Sequence, residues 1–179
     1  MFFTRMPVER VGVLIGEKGQ TKARLEEITG IKLSIDSATW EVTIDETGAK
    51  DPTHALKVRD IVTAIGRGFS EERAFRLLDD DVYLQVFDIK EFSGESKDRV
   101  AQVKGRVIGT GGKTRRLVEE LAGVEMSVYG HTVAIIGEAF HINIARQAVE
   151  MLLQGSEHKT VYRFLERKRE DIKAYEMGL

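Results

Sequence analysis

Two short loops bracketed by glycines hold the residues whose types and spacing could do chemistry. The first is Gly16-Glu17-Lys18-Gly19 and the second is Gly109-Thr110-Gly111-Gly112. Glycines let the backbone turn tightly and let another backbone approach within contact. The amides at the start of a following helix point outwards, where the helix dipole favours an anion. This arrangement predicts a site for a sugar-phosphate backbone, with bases lying in a groove beside it.

The side chains around both loops are small or basic, which suits the same ligand. The residues predicted to bind nucleic acid are Gly16, Glu17, Lys18, Gly19, Lys22, Arg106, Gly109, Thr110, Gly111, Gly112, Lys113, Arg115 and Arg116. Residues 97–116 carry seven basic side chains against one acid, and residues 5–24 carry five against two. Glu17 also stands between the glycines of the first loop, where it would repel a phosphate. The second loop is therefore predicted to supply more of the affinity.

The two loops belong to an internal repeat. Residues 12–35 match residues 105–128 at a constant offset of 93 without a gap, with nine identities in 24 positions. Four of those identities are glycines. Two copies are too few for a solenoid, so each copy is expected to carry its own core. The predicted domains are 1–81, which includes a connecting helix, and 82–179, which includes a C-terminal helix.

Each copy predicts the same order of elements around its loop. In the first copy, an edge strand at residues 2–6 leads through Pro7 into a helix, and a second helix after the loop ends at Gly30. Two alternating strands and a helix from about Pro52 follow. The order is β-α-loop-α-β-β-α.

The second copy repeats this order with a longer loop over residues 89–95, after which Ser96 is predicted to cap the next helix. Residues 70–78 read as a connecting helix. Residues 158–177 form an amphipathic pattern whose apolar side is predicted to dock onto the second copy, the alternative being a partner-binding element.

This order resembles tandem type I KH domains, a family that binds single-stranded RNA and DNA. The resemblance rests on Val-Leu-Ile-Gly-Glu-Lys-Gly and Arg-Val-Ile-Gly-Thr-Gly-Gly-Lys-Thr, and it covers nearly the whole chain apart from the linker and the C-terminal helix. It implies an α+β fold of two tandem type I KH domains (β-α-α-β-β-α) plus a C-terminal helix. Many KH domains have an aliphatic residue lining the base groove where this chain has Lys22 and Arg115. That departure favours contacts to phosphates over contacts to bases.

Two further segments, Gly-Gly-Lys-Thr-Arg-Arg and Val-Tyr-Arg-Phe-Leu-Glu, resemble a narrower group. These are the archaeal relatives of the partner-of-NOB-one and KRR-type small-subunit assembly factors. The resemblance implies binding near the 3′ end of small-subunit ribosomal RNA during maturation, with ribosome assembly or initiation proteins as further partners.

Other functions fit the same residues less well. A Walker A loop ending in Gly112-Lys113-Thr114 needs a glycine where Val107 stands and a strand before it, so no nucleotide cofactor is predicted. The acid run Asp79-Asp80-Asp81 reads as a solvated linker, not a metal site. No general base has an orienting partner, so no catalytic residue and no enzyme activity are predicted.

Two binding functions stay open as alternatives. One is a KH subunit of another RNA-processing complex such as the exosome, although such a subunit would normally carry a separate β-barrel. The other is a platform for protein binding, which suits the first copy because its loop region is less basic.

The composition bounds these functions. The 179 residues hold 27 basic and 29 acidic side chains, for a formal charge of −2, so any basic face is local. Hydrophobic residues make up 42%, which is enough for a folded core. The absence of cysteine excludes disulfides and thiolate-bound zinc, and the four histidines are too dispersed for a local metal motif. No apolar run approaches a membrane helix. A cytoplasmic protein is expected, and 31% charged residues with a single Asn favour a hot-growing source.

Overall fold

The computed structural model describes residues 1–179, which form two compact units, Met1–Asp80 and Asp81–Leu179. Each unit has one antiparallel sheet of three strands. Helices bury the apolar face of each sheet, and the two glycine loops lie on helix-to-helix connections.

Unit 1 follows the predicted order of elements. Its elements are β1 (Phe2–Arg5), α1 (Val8–Ile15), α2 (Gln20–Thr29), β2 (Lys32–Ile35), β3 (Glu41–Asp45), α3 (His54–Gly66) and the short α4 (Glu71–Phe75). The strand order is β1-β3-β2, so β1 is an edge strand as predicted. Ile44 of the central strand lies opposite both Phe2 and Leu33, and it is fully buried. The alternation in β2 and β3 thus directs one face of the sheet into the core.

Unit 2 repeats this plan and extends it. Its elements are β4 (Val82–Asp88), α5 (Lys90–Ser93), α6 (Lys97–Ile108), α7 (Lys113–Ala122), β5 (Glu125–Tyr129), β6 (Thr132–Glu138), α8 (Ala139–Leu153) and α9 (His158–Glu176). The strand order β4-β6-β5 corresponds to that of unit 1. Ser96 accepts a hydrogen bond from the Arg99 amide at 3.4 Å, so the predicted cap of α6 is confirmed.

The connection before α6 differs from the prediction. Residues 89–95 were expected to be a loop, but residues 90–93 form a helical turn. The Asp88 carboxylate accepts from the Lys90 amide at 2.9 Å, and Ile89 is completely buried. In unit 1 only Met6 and Pro7 separate β1 from α1, so this turn is an insertion specific to unit 2. α6 is correspondingly longer than α1, with 12 residues against 8.

The C-terminal helix α9 packs along α7 and α8, which confirms the docking prediction. Val161 and Leu165 are fully buried, and Ile172 is 5% exposed. These side chains complete the core that β6 and α8 begin. None of the helices has both the length and the apolar character needed to cross a bilayer.

Candidate nucleic-acid interface

The first loop turns between two helices on three residues with positive φ. Gly16 ends α1 by donating its amide to the Gly12 carbonyl at 2.9 Å, and Gly19 donates to the Gly16 carbonyl at 3.2 Å. The φ angles of Gly16, Lys18 and Gly19 are 76°, 54° and 74°. No side chain caps α2, and its first amide, that of Gln20, donates to the Glu17 carbonyl within the loop. Glu17 and Lys18 lie at the tip, and Lys18 is exposed.

The second loop has the same backbone with different side chains. Gly109 donates to the Gly105 carbonyl at 2.9 Å, and Gly112 donates to the Gly109 carbonyl at 3.1 Å. The φ angles of Gly109, Gly111 and Gly112 are 75°, 60° and 79°. Gly111 thus takes the left-handed conformation that Lys18 is held in at the first loop, and it does so without a Cβ. α7 also begins without a side-chain cap.

A buried threonine fixes the first glycine of each loop. A Cβ on Gly16 would collide with the Thr21 hydroxyl, and a Cβ on Gly109 would collide with that of Thr114. Both threonines are at most 3% exposed. Neither threonine was predicted to have a role, although their identity at matching positions of the repeat is a sequence signal for one. They are packing partners that make glycine necessary at these two positions.

The groups behind the threonines differ between the units. Thr21 donates its hydroxyl to the Glu71 carboxylate at 2.8 Å, and Arg24 lies 3.5 Å from the same carboxylate. The Thr114 hydroxyl instead bonds the Tyr162 phenol at 2.7 Å. The Lys113 ammonium lies 5.9 Å from the centre of the Tyr162 ring, within the range of a cation–π contact. A carboxylate therefore backs the first loop, and a neutral phenol beside an ammonium backs the second.

Lys22 and Arg115 occupy equivalent positions and make equivalent contacts. Lys22 pairs with Glu26 at 3.0 Å, and Arg115 pairs with Glu119 at 2.8 Å. Each carboxylate also accepts a strand amide, from Leu33 at 2.9 Å or from Met126 at 3.1 Å. A phosphate that binds either cation must share it with this carboxylate.

The pKa of the Glu26 carboxyl reflects its contacts with Leu33 and Lys22. Its partial burial alone would raise its pKa. The Leu33 amide and the Lys22 ammonium outweigh this effect, and the pKa of Glu26 lies below its ordinary value.

Two other predicted arginines have contrasting surroundings. The Arg116 guanidinium donates to the Gly111 carbonyl at 2.8 Å in an exposed hydrogen bond, so it braces the loop while facing solvent. Arg106 donates to the Ser156 carbonyl, and its own carbonyl lies 2.8 Å from the His158 ring. Arg106 thus links α6 to the start of α9, and the structure does not place it at the loop as an unengaged cation.

An exposed stripe of small and apolar residues runs from each loop along the preceding helix. In unit 1 the stripe is Val8, Gly12 and Ile15, with Val8 54% exposed. The matching positions of unit 2 are Ala101 and Gly105, which are exposed, and Ile108, which is partly so. A Cβ at Gly12 or Gly105 would meet no atom within 4 Å, so both stripes are open. Flat bases can lie on such surfaces while phosphates face the loop.

The structure also bears on the metal and nucleotide alternatives. No group of three or more His, Asp or Glu side chains is arranged to hold a metal ion. The helix α6 precedes the second loop where a Walker A motif requires a strand, so that motif is absent.

Comparison with known proteins gives concordant matches. A family model described as Eukaryotic type KH-domain (KH-domain type I), for the second KH domain of PNO1, matches residues 83–170. KH domain-containing protein MJ0443 of Methanocaldococcus jannaschii is 51% identical over 170 residues, which cover 94% of this chain and 74% of that protein. Pre-rRNA-processing protein pno1 of Schizosaccharomyces pombe is 31% identical over 134 residues, 74% of this chain and 56% of that protein. The chain spans about half the length of the PNO1 relatives.

Two solved structures share the fold over nearly their whole length. The crystal structure of Dim2p from Pyrococcus horikoshii OT3 has a TM-score of 0.84 and 48% identity, covering 93% of this chain and 98% of that chain. The aDim2p chain in an a/eIF2alpha-aDim2p-rRNA complex from the same organism has a TM-score of 0.86 and 47% identity, covering 95% of this chain and 94% of its own.

Proposed function

This chain belongs to the PNO1-type family of KH-domain proteins, and from that premise we propose that it is a cytoplasmic, non-catalytic protein that binds single-stranded RNA in small-subunit ribosome assembly. The observation that carries the proposal is the pair of glycine loops, each set between two helices beside an open stripe. The second loop lies inside the segment that the family model matches.

We further propose that both units are type I KH domains, divided close to residue 81. The family model matches residues 83–170, which lie in unit 2. Support for unit 1 comes from its equivalent strand order, its equivalent loop and its match in the M. jannaschii relative, which covers 94% of this chain. The threonine contact at the first glycine recurs in both units as well.

The proposed mode of binding places phosphates at the loops and bases on the stripes. The first turns of α2 and α7 carry no side-chain cap and present the positive end of a helix dipole at each loop. In unit 2 the cations Lys113 and Arg116 flank the loop, with Arg115 shared with Glu119. In unit 1, Lys18 and Lys22 have the corresponding roles. Arg106 has a structural role in this scheme, because its guanidinium already binds the Ser156 carbonyl.

The proposed RNA is the 3′ region of small-subunit pre-rRNA. The S. pombe relative is named for pre-rRNA processing, and the P. horikoshii neighbour was crystallised with rRNA and a/eIF2alpha. An initiation factor is accordingly the protein partner that we propose first. Glu17 at the loop tip and the carboxylate behind the first loop weaken phosphate binding there relative to the second loop, so unit 1 is the side on which we also place a protein contact.

The test is fluorescence anisotropy with a labelled single-stranded RNA, repeated across salt concentrations. We expect saturable binding that weakens with salt, since phosphate contacts release counterions. The RNA should be recovered uncut, with no ATP hydrolysed. A duplex of the same sequence should bind more weakly. Equal affinity for the duplex and the single strand would contradict the proposed binding of unpaired bases on the stripes. Crosslinking in cells followed by sequencing identifies the RNA, and reads outside pre-rRNA would favour the exosome-like alternative.

A further inference from the structure

We propose that unit 2 holds a site for a nucleoside phosphate on the side of α6 that faces away from the stripe. The site is an open cavity of about 380 Å³ between α5, α6 and the turn from α8 to α9, and we call it the arginine pocket. Ligand sites typically span ~300–1,000 Å³, so this volume is sufficient for a nucleotide. The side chains that line the pocket and matter here are Phe92, Arg99, Gln102, Val103, Arg106 and Gln154.

The arginine pocket uses a different face of α6 from the stripe that leads to the second loop. Arg99, Gln102 and Arg106 stand at positions i, i+3 and i+7, which places them on one face of the helix. At 3.6 residues per turn, this face is rotated by roughly 120° about the helix axis from the face of Ala101 and Gly105. An RNA strand on the stripe therefore leaves the arginine pocket accessible.

Two arginines give the pocket its charge. The Arg99 side chain is exposed and has no ion-pair or hydrogen-bond partner in the protein. Arg106 donates to the Ser156 carbonyl through one terminal nitrogen, and its Nε is buried without a hydrogen-bond partner. A buried N–H that lacks a partner is costly, so a ligand that accepts from it is favoured. No carboxylate lines the pocket, and guanidinium groups bind phosphate through paired hydrogen bonds.

The other side chains of the pocket suit a base. Phe92 is half-buried, packs on the core of unit 2 and lines the pocket together with Val103. Unpaired bases stack on such aromatic rings. The side-chain amides of Gln102 and Gln154 are exposed and lack a protein partner, and an amide can both donate to and accept from the edge of a base. An inorganic phosphate would use the arginines alone, so the combination favours a nucleoside phosphate.

Unit 1 has no equivalent of the arginine pocket. The position that matches Arg99 is the buried Met6, and the position that matches Arg106 is Val13, so neither guanidinium is present. The inserted turn α5, which supplies Phe92, is also absent from unit 1. The pocket is therefore specific to unit 2, and it gives the inserted turn a role that the loops do not explain.

The experiment titrates adenosine monophosphate (AMP) into the isotope-labelled full chain and follows the backbone amides by NMR. We expect saturable shifts at Arg99, Gln102 and Gln154, and binding of inorganic phosphate that is weaker by about tenfold or more. Arg99→Ala should weaken AMP binding about tenfold or more, as expected for the loss of a hydrogen bond to a charged group. Arg163→Ala, which removes an exposed and unpaired arginine of α9, is the matched control.

A second variant tests the base. Phe92→Leu keeps an apolar side chain against the core but removes the ring, so it should weaken AMP binding and leave the binding of inorganic phosphate unchanged. Equal affinity of the parent protein for AMP and phosphate, or an equal loss of both in Phe92→Leu, would overturn the assignment to a nucleoside phosphate. Circular dichroism shows whether each variant folds.

The remaining outcomes separate the arginine pocket from RNA binding at the loops, on which it does not depend. Absence of shifts in the pocket at millimolar AMP, or shifts confined to the second loop, would overturn the pocket and leave the proposed function intact. Failure of the parent protein to bind any RNA would overturn the proposed function and leave the pocket intact.

The nucleotide has two sources with the same chemistry, a free nucleotide or an unpaired nucleotide of a bound RNA. Competition between AMP and labelled RNA, with a loss of RNA affinity in Arg99→Ala, assigns the pocket to a nucleotide of the RNA. RNA binding that neither AMP nor Arg99→Ala changes assigns it to a free nucleotide.

Discussion

The two glycine loops have nearly the same backbone and different electrostatic surroundings. Their three positive φ angles agree within 6° at each position. Both first glycines are held by a buried threonine. Yet the first loop has Glu17 at its tip and Glu71 behind it, whereas the second has Thr110 at its tip and Tyr162 behind it. The packing of glycine on threonine therefore sets the shape of both loops, and the flanking side chains decide which ligand that shape suits.

Substituting the first glycine of each loop should have the largest effect, because its packing on threonine is common to both units. Gly16→Ala and Gly109→Ala should each destabilise their own unit by roughly 2 kcal/mol or more, because the new Cβ meets the threonine and the left-handed backbone is strained. Urea denaturation followed by circular dichroism measures this loss. Only Gly109→Ala should also weaken RNA binding strongly. Similar loss of RNA binding in both variants would show that the loops contribute equally.

The next effect tests the difference directly. Replacing Thr110 and Gly111 with Asp should lower RNA affinity, and if two phosphate contacts are lost the deficit should grow about 25-fold between 1 M and 0.1 M salt. The same change at Glu17 and Lys18 should cost less than about fivefold. Anisotropy titrations give both values. Thr110→Asn/Gly111→Asn is the control, because Asn tolerates the left-handed conformation and adds no charge. Equal losses from the two Asp variants, both folded, would contradict the asymmetry.

Removing the two carboxylates next to the first loop should raise the RNA affinity of unit 1, by less than the loss expected at the second loop. In the protein whose second loop carries the two Asp residues, Glu17→Thr with Glu71→Gln should regain about fivefold in affinity, the equivalent of one phosphate contact. The amide oxygen introduced by Glu71→Gln can still accept the Thr21 hydroxyl, so the loop should keep its shape. Glu72→Gln removes an exposed charge from the same helix and serves as the control. If no affinity returns, unit 1 is not a phosphate site, and its role as a protein contact gains support.

The smallest effect separates two neighbouring arginines. Arg116→Ala should reduce the salt slope of RNA binding by up to about 0.7, since its guanidinium faces solvent where it braces the loop at the Gly111 carbonyl. Arg115→Ala should reduce it by less, because Glu119 already pairs with that guanidinium at 2.8 Å. Titrations over a decade of salt give the slopes. A larger reduction for Arg115→Ala would mean that the Glu119 pair opens when RNA binds.

The sequence was sufficient for most of the fold because the repeat and the apolar alternation are local signals. The strands at residues 32–35 and 41–45 alternate as expected, and Gly30 and Gly123 end their helices in the left-handed region. The inserted helix α5 was not predicted, because its formation depends on burying Ile89 and Ser93 beneath other elements. A segment of four residues is too short to show the hydrophobic periodicity that predicts a helix.

For the candidate site, the sequence identified the loops and the cations but not their contacts. Residue types cannot show that the Arg106 guanidinium binds the Ser156 carbonyl, 50 residues away in the chain. The pairing of Arg115 with Glu119 was foreseeable from the i,i+4 spacing. The hydrogen bond between Thr114 and Tyr162 joins elements 48 residues apart, and it depends on how α9 packs. Such long-range contacts follow from the tertiary structure, which local patterns do not encode.

The hydrogen bond between Thr114 and Tyr162 also couples the far end of the chain to the binding loop. Tyr162 belongs to α9, so the loop is fully braced only while that helix is docked. Opening of α9 and occupancy of the loop are then linked equilibria, and linkage is reciprocal. We therefore expect a ligand on the loop to stabilise the docked position of α9, and undocking of α9 to weaken ligand binding. Undocking of α9, a helix outside the repeat, would thereby favour dissociation of the ligand from the second loop.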